Sequence, residues 1–199
     1  TGVAVEPPKT VCGKLRGYQL AGMNWLYLLH KFGMNGILAD EVSPFVCAFK
    51  SKISVHSITP FFVLQMGLGK TIQTIVFLAL LQSIGYEGPH LVVCPATTLA
   101  NWKRELECWC PSLTVLVYYG NQKERNELRY SAPPSMMTRK KEDPAFNVVL
   151  TTFTIAASSF DRTYLRKCKF GYFITDEAQN VKNASSRRFE KLVGMSSDR

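Results

Sequence analysis

The sequence predicts an α/β fold, and three observations lead to this prediction. Short apolar runs alternate along the chain with segments of helical periodicity, as in proteins whose strands are joined by helices. The run from Leu91 to Cys94 is wholly apolar, which is typical of a strand buried on both faces of a sheet. Hydrophobic residues make up 46% of the 199 residues, which is enough for one sizeable core.

The first half of the chain contains two predicted helices and two predicted strands. Residues 1–14 are predicted to be a lead-in, because they include adjacent prolines. Apolar residues at helical spacing predict a helix over 15–32, and two glycines end it before a short strand at 37–39. A second amphipathic helix is expected over 70–83, followed by the strand at 91–94, which a proline ends.

The second half continues the alternation. A helix is predicted over 98–108, a strand over 114–119 and a polar helix over 122–129. Residues 131–145 contain prolines and a short basic run, and are therefore predicted to be a surface loop. The remaining predicted elements are strands at 147–152 and 172–175 and a helical piece near 185–192.

The charge balance favours a polyanionic partner. Lysine and arginine number 24 against 15 acidic residues, which gives a formal net charge of +9. Nucleic acid is the simplest partner for such a chain, although the same excess also serves solubility alone. The basic run 139–141 could contact DNA or keep its loop solvated, and we favour solvation.

The cysteines and apolar runs exclude several classes. The six cysteines contain no C-x-x-C pair, so reduced thiols are expected rather than a zinc site or a disulfide framework. No apolar run has the length of about 20 residues that a membrane-spanning helix needs, and no secretory signal opens the chain. Because the first residue is Thr1, we expect the sequence to be part of a longer protein.

The strongest chemical signal is the string Met66-Gly67-Leu68-Gly69-Lys70-Thr71 at the start of a predicted helix. A glycine-rich turn lets backbone N–H groups converge on a phosphate chain, and the helix N-terminus adds partial positive charge. In such a turn Lys70 reaches the β- and γ-phosphates and the Thr71 hydroxyl ligates Mg²⁺. The alternative is a chance match at a helix start.

The usual phosphate-loop pattern, G-x-x-x-x-G-K-[ST] after a strand, is interrupted here. Leu64 occupies the place of its first glycine, whereas the expected strand end, Gly36-Ile37-Leu38-Ala39-Asp40-Glu41, lies upstream. Removal of residues 42–65 joins ILADE to MGLGKT. The joined string resembles the phosphate loop of the SWI/SNF-type helicase-like ATPases of superfamily 2, and in particular that of single-polypeptide, DEAD/H-box-containing chromatin remodellers.

The resemblance covers most of residues 14–193 and implies a fold. It implies the first RecA-like lobe of a P-loop NTPase, a mostly parallel sheet with helices on both faces that is incomplete at its C-terminus. The domain would occupy residues 15–199, with an insertion at 42–65. Gln19, in the segment Leu15-Arg16-Gly17-Tyr18-Gln19, would bond the adenine edge.

Two further segments resemble the family's DNA-facing motifs. Residues 91–106, LVVCPATTLANWKREL, are similar to its strand-to-helix motif, where Thr97, Thr98 and Asn101 would donate to DNA phosphates. Thr97 alternatively caps the helix. Thr151 and Thr152 end a strand in the manner of the next DNA-facing motif, although paired threonines are also common in strands.

A second strong signal is the run Asp176-Glu177-Ala178-Gln179 directly after a predicted strand. A strand that ends in two carboxylates presents them at the edge of an α/β sheet where ligands bind. Asp176 would hold Mg²⁺ and Glu177 would orient and deprotonate the attacking water. By resemblance, Gln179 would sense the γ-phosphate, and the continuation Asn180-Val181-Lys182-Asn183 matches the family's extended motif. A solvated acidic turn is the alternative.

We interpret residues 42–65 as a translated intron. Val42-Ser43 can be encoded by a splice-donor sequence, and the run from Phe61 to Gln65 by a pyrimidine-rich tract that ends in CAG. A genuine loop is the competing interpretation. If translated, the insertion should weaken or abolish ATP binding, because Asp40 and Glu41 are then separated from Gly67.

The resemblance implies an ATP-dependent DNA translocase that remodels nucleosomes in the nucleus, with ATP and Mg²⁺ bound and double-stranded DNA as partner. The second RecA-like lobe, which supplies arginines to the cleft, does not occur in the sequence, and no membrane is involved. We therefore expect negligible DNA-stimulated hydrolysis by these residues alone. The alternatives are a hydrolysis-incompetent fragment that binds DNA or a protein partner, and another superfamily 2 helicase.

Overall fold

The computed structural model describes residues 5–38, 61–64, 69–86, 88–132, 146–168 and 170–176. Its helices are α1 (Gly17–Lys31), α2 (Lys70–Ser83), α3 (Ala96–Trp109), α4 (Gln122–Ser131), α5 (Phe153–Ala157) and α6 (Ser159–Lys167). Its strands are β1 (Gly36–Leu38), β2 (Phe61–Leu64), β3 (His90–Cys94), β4 (Val115–Val117), β5 (Val148–Thr152) and β6 (Phe173–Asp176). The predicted alternation of helices and strands is confirmed over these ranges.

The strands form one parallel sheet in the order β1-β2-β6-β3-β5-β4. The neighbouring pairs β1-β2 and β5-β4 are consecutive in sequence, whereas β2-β6, β6-β3 and β3-β5 are not. From β2 onward, helices connect each strand to the next along the chain, as parallel pairing requires. The central strands β3 and β5 are buried along their whole lengths. This explains why their sequences are nearly continuous apolar runs without polar alternation.

Each face of the sheet carries its own core, which confirms the α/β architecture with helices on both faces. Val92 and Cys94 of β3 lie with buried residues of α1, α2 and α3. Leu91 and Val93, which alternate with them, lie with buried residues of α5 and α6. The side-chain period of two along a strand therefore divides β3 between the two cores.

Strand β2 lies within the segment that the sequence analysis treats as an insertion. No periodicity predicts a strand there, yet Phe61–Leu64 pairs in parallel with β1 on one side and β6 on the other. The strand upstream, Gly36–Leu38, consequently lies at the edge of the sheet. The strand predicted at 37–39 is thus confirmed as Gly36–Leu38, but in this chain β2 and not β1 lies beside β6. A short run of β-formers nearer to the turn occupies that position.

Local signals account for the helix ends. Helix α1 is followed by Gly33 at φ +64°, in the left-handed region that glycine adopts without cost. Helix α4 begins with a capping box, in which Asn121 Oδ1 accepts from the Glu124 amide and Glu124 Oε2 accepts from the Asn121 amide. The surface loop predicted at 131–145 lies outside the described residues, apart from Ser131 and Ala132, and so does the helix predicted near 185–192.

The described cysteines form no disulfide, and no helix among the described residues is both long and apolar enough to span a membrane. Burial raises the pKa of Cys168 to about 12, which keeps this thiol protonated at neutral pH.

A buried carboxylate joins α6, α4 and the end of β4. Asp161 is 0% exposed, and Arg125 donates to it through two nitrogens at 3.0 and 3.1 Å. Arg129 Nη2 and the Tyr118 hydroxyl each donate to Oδ1 at 2.7 Å. Burial alone would raise the pKa of Asp161, but the bonds from Arg125 and Tyr118 hold it below its usual value. Burial and the bond to Asp161 raise the pKa of Tyr118 to about 12.

Asp161→Asn should lower the free energy of unfolding by about 3 kcal/mol at pH 7, because it leaves two partly buried arginines without a counter-charge. Since the folded pKa of Asp161 is depressed, this stabilisation is present above a pH of about 4 and is lost as the pH falls through the folded pKa. Urea unfolding of both proteins at pH 7 and in acid measures it.

The matched control is Glu107→Gln, which breaks an exposed ion pair with Lys103 and should change stability by less than about 0.5 kcal/mol. A deficit in Asp161→Asn that does not shrink in acid would contradict the assignment to charge.

Candidate functional site

The described phosphate and metal candidates belong to segments that follow or end adjacent strands of the sheet. All strand pairs are parallel, so the segments that follow β2, β6, β3 and β5 emerge at the same carboxyl edge, where ligands bind in α/β sheets. Leu64, the last residue of β2, lies opposite Asp176, the last residue of β6. Lys70 begins the helix that follows β2 along the chain. The start of α2 thus follows β2 in the chain, and Asp176 ends the neighbouring strand β6.

The start of α2 has the features of an anion site. Gly69 precedes it at φ +78°, a left-handed conformation that side chains rarely adopt. Lys70 is the first helical residue and is 5% exposed, while Thr71 is half-buried beside it. The amide groups and partial positive charge of a helix N-terminus attract phosphate. Buried, the Lys70 ammonium adds a full positive charge.

Gln19 lies directly over the glycine turn. A Cβ atom at Gly69 would come within 2.6 Å of Gln19 Nε2, so the two residues are in close contact. Gln19 Oε1 accepts from the Arg16 amide at 2.9 Å, which orients the side-chain amide at the start of α1. Gln19 is buried there. The structure therefore places the predicted adenine-contacting residue next to the predicted phosphate residues.

Asp176 is bound by a residue that the sequence analysis did not select. The indole Nε1–H of Trp102 donates to Asp176 Oδ2 at 2.7 Å. Trp102 forms a buried stripe on α3 with Leu99 and Leu106. That i, i+3, i+7 spacing predicts a core position and carries no sign of a polar contact. The contact depends on the packing of α3 against the sheet, on which it contacts β5 and β4.

The predicted metal ligands suit a hard cation. Asp176 contributes a carboxylate and Thr71 a hydroxyl, and oxygen is the ligand type that Mg²⁺ prefers. Magnesium in nucleotide sites takes one or two protein oxygens and completes its shell with phosphates and waters. The two described residues therefore fit Mg²⁺ in chemical type.

The predicted DNA-contacting residues at the start of α3 differ in exposure and in hydrogen bonding. Thr97 is exposed, and Pro95 rather than Thr97 is the residue that caps the helix, so the capping alternative is wrong. The Thr98 hydroxyl donates to the Pro95 carbonyl at 3.2 Å. Asn101 Oδ1 accepts a hydrogen bond from Arg104, so this side chain lies beside a guanidinium at the surface.

Thr151 and Thr152 are both buried at the end of β5. The Thr151 hydroxyl donates to the Tyr118 carbonyl at 2.8 Å and so ties β5 to the end of β4. Thr152 lines an open pocket of about 690 Å³, together with Ala96 and Gly120. The lining residues of this pocket end or follow β3, β4 and β5, and none of them belongs to α2.

Three predicted site residues, Gly67, Glu177 and Gln179, lie outside the described residues. Their positions in the chain, just before Gly69 and just after Asp176, place them next to the described site in sequence. Their assignments stay predictions.

Gly69→Ala should lower the affinity for nucleotide about tenfold, because its Cβ would displace the Gln19 amide as well as strain the backbone. The backbone term alone costs about 1 kcal/mol. Gly33→Ala is the matched control, since Gly33 also has a positive φ but nothing lies within 4 Å of its Cβ position.

Both variants should lose stability in thermal unfolding, Gly69→Ala by the larger amount because its Cβ also displaces Gln19, and Gly69→Ala alone should lose affinity in a calorimetric titration with nucleotide. Equal affinities in the two variants would contradict the contact between Gln19 and the turn.

A family comparison agrees with this geometry. The sequence model of the SNF2-related domain matches residues 61–199. The chain belongs to the SNF2-related domain family. The match includes β2 together with the glycine turn of α2 and the Asp176 segment.

Curated proteins extend the similarity of this SNF2-related chain. It is 45% identical over 180 residues to the mouse (Mus musculus) "SWI/SNF-related matrix-associated actin-dependent regulator of chromatin subfamily A containing DEAD/H box 1", covering 90% of this chain and 15% of the relative. It is 40% identical over 186 residues to "ATP-dependent helicase fft3" of Schizosaccharomyces pombe, covering 93% of this chain and 17% of the relative. The chain thus spans about one sixth of the length of these relatives.

Solved structures show the same fold. The Sulfolobus solfataricus SWI2/SNF2 ATPase core in complex with dsDNA matches 96% of this chain and 31% of its own, with a TM-score of 0.68 and 27% identity. A second structure, the Sulfolobus solfataricus SWI2/SNF2 ATPase core domain, matches 94% of this chain and 30% of its own, with a TM-score of 0.63 and 26% identity. These matches confirm the RecA-like fold expected from the resemblance.

Proposed function

We propose that this SNF2-related domain is the ATP-binding lobe of an ATP-dependent DNA translocase that remodels nucleosomes in the nucleus. The observation that supports the proposal is the pairing of Leu64 of β2 with Asp176 of β6, because Gly69 and Lys70 follow β2 in the chain and Asp176 ends the neighbouring strand. A phosphate-binding helix start and a metal-binding carboxylate at neighbouring strand ends are the two parts that nucleoside-triphosphate hydrolysis requires.

The described residues take separate tasks in this proposal. Gln19 contacts the adenine edge, Gly69 lets the backbone approach the phosphates, and Lys70 binds the β- and γ-phosphates. Thr71 and Asp176 would hold Mg²⁺, which when bound neutralises charge on the phosphates. Glu177 would accept a proton from the attacking water and Gln179 would contact the γ-phosphate.

The DNA interface in this proposal lies at the carboxyl ends of β3 and β5. Thr97, Thr98 and Asn101 would contact phosphates of double-stranded DNA from the start of α3. Thr151 and Thr152, at the end of β5, would support this DNA interface and form part of it, with Thr152 lining the pocket. The Sulfolobus core, whose structure includes dsDNA, lends support to a DNA partner. A second RecA-like lobe would complete the catalytic cleft.

Titration of the purified chain with a Mg²⁺·ATP analogue, with a DNA duplex and with an RNA duplex of the same sequence tests the proposal. We expect nucleotide binding, tighter binding to the DNA duplex than to RNA, and DNA affinity that falls linearly with the logarithm of salt concentration. Hydrolysis should not exceed a single turnover.

Failure to bind nucleotide, both in this chain and in a version that lacks residues 42–65, would contradict the assignment of an ATP-binding lobe. Preference for the RNA duplex would favour another superfamily 2 helicase, and DNA binding without nucleotide binding would favour a hydrolysis-incompetent binding fragment.

A further inference from the structure

The indole of Trp102 connects the hydrophobic core to the candidate metal site. Its ring is fully buried in the core formed by α1, α2, α3 and one face of the sheet. The ring's single polar atom nevertheless meets Asp176, at an Nε1 to Oδ2 distance of 2.7 Å. This length is typical of a hydrogen bond to a charged acceptor, which is about twice as strong as a neutral one.

Both partners of this hydrogen bond are held in place by structure outside the site. Trp102 lies between Leu99 and Leu106 on the core-facing side of α3, so its ring cannot turn without opening the core. Asp176 ends β6, which is paired with β2 on one side and β3 on the other. The indole therefore restricts the rotation of the Asp176 side chain about its own bonds.

The chemistry of the indole suits this task. An indole N–H donates but does not accept, so Trp102 neither ligates a cation nor takes a proton from the carboxylate. A carboxylate offers about four acceptor positions, and the indole uses one of them. The hydrogen bond and metal ligation by Asp176 are therefore compatible. Partners of this kind set the orientation of metal-binding side chains in proteins.

We propose that Trp102 is a positioning residue that orients the Asp176 carboxylate for Mg²⁺. The inference rests on the proposed function, because it needs Asp176 to hold the metal of a bound nucleotide. It assigns no contact between Trp102 and the nucleotide or the metal. Loss of the indole N–H should therefore lower the affinity for nucleotide with its metal. It should leave the affinity for metal-free nucleotide unchanged.

Calorimetric titration of the full chain with ADP, once with Mg²⁺ and once with a chelator, separates these two effects. Trp102→Phe keeps an aromatic ring but removes the donor, and should weaken Mg²⁺·ADP binding by about tenfold or more. Its affinity for metal-free ADP should stay within about twofold of wild type. Trp109→Phe is the matched control on the same helix, because Trp109 packs against Gly13 and should change neither affinity.

A second variant keeps the inference testable if Trp102→Phe disturbs the fold. Incorporation of benzothienylalanine at position 102 replaces the ring N–H by sulfur and keeps the two-ring shape, and it should reproduce the loss for Mg²⁺·ADP. In a ¹⁵N-labelled chain, the indole N–H resonance of Trp102 should move on addition of Mg²⁺·ADP, and also in Asp176→Asn without any ligand. The indole resonances of Trp25 and Trp109 should not move.

The outcomes separate the inference from the proposed function. Wild-type affinity for Mg²⁺·ADP in both position-102 variants would overturn the inference, and so would an equal loss for the metal-free and metal-bound forms. In either case nucleotide binding by the wild-type chain would leave the proposed function standing. If the wild-type chain and a version lacking residues 42–65 bind no nucleotide, the proposed function fails and the inference fails with it.

Discussion

Lys70→Ala should lower the affinity of the chain for Mg²⁺·ATP by roughly 100-fold, equivalent to about 2.7 kcal/mol. Lys70 begins α2 and the residue is 5% exposed, so its charge should act on a phosphate in a region where solvent screens charge weakly. Alanine removes that charge and its donors and keeps a good helix former at the first helical position. Calorimetric titration with a non-hydrolysable Mg²⁺·ATP analogue measures the loss.

The matched control is Lys103→Ala. Lys103 lies on α3, is largely exposed and forms an exposed ion pair with Glu107, so its removal takes the same charge from the chain without touching the site. Equal losses in the two variants would show that net charge, rather than the helix start, attracts the nucleotide. In a full-length remodeller that carries this domain, remodelling that survives Lys70→Ala would favour a binding role over a motor.

A version that joins Glu41 directly to Met66 should bind Mg²⁺·ADP about tenfold more tightly than the chain with residues 42–65. In the present chain β2 occupies the position next to β6, and Gly36–Leu38 lies at the sheet edge. Deletion should return Gly36–Leu38 to the place beside β6 and connect Asp40 and Glu41 to the glycine turn. Because β2 already leads a strand into this turn, we expect weakened rather than abolished binding in the undeleted chain.

A third version separates the strand from the rest of the insertion. Replacement of residues 42–60 by a short glycine–serine linker keeps β2 and shortens the connection. If nucleotide binding is weakened because β2 replaces Gly36–Leu38 beside β6, this version should bind nucleotide with the same affinity as the undeleted chain. Equal affinity of all three versions would refute the prediction. RNA reads that join the codons of Glu41 and Met66 directly would identify 42–65 as a translated intron.

Much of the fold could be predicted from the order of residues, because the signals are local. The helix predicted over 70–83 is observed as Lys70–Ser83, since a glycine turn starts it and its apolar residues recur at helical spacing. Strand β3 was predicted from an apolar run ended by a proline, which is a signal within a few residues. The glycine turn and the run that begins at Asp176 could also be predicted from local signals, because each motif consists of consecutive residues.

Strand β2 and the Trp102 contact could not be predicted in this way. Phe61–Leu64 and Gly36–Leu38 are both short and apolar, and the choice of which lies next to β6 depends on pairing with a strand more than 100 residues away. Trp102 has the spacing of a core residue, and no neighbour in sequence indicates a carboxylate. The expectation that Thr151 faces DNA rests on the family's motif at a strand end, and the sequence carries no sign that its buried hydroxyl donates to the Tyr118 carbonyl.

By itself, the sequence determined the fold class, the helix start that carries Lys70 and the strand end that carries Asp176, because each depends on side-chain types within one turn or one strand. The tertiary structure alone decided which strand precedes the glycine turn, that Gln19 lies over Gly69, and that an indole in the core holds Asp176. The physical reason is that these contacts join residues far apart in the chain. Such contacts are selected by competition among pairings and by the packing of helices on the sheet, which local propensity does not encode.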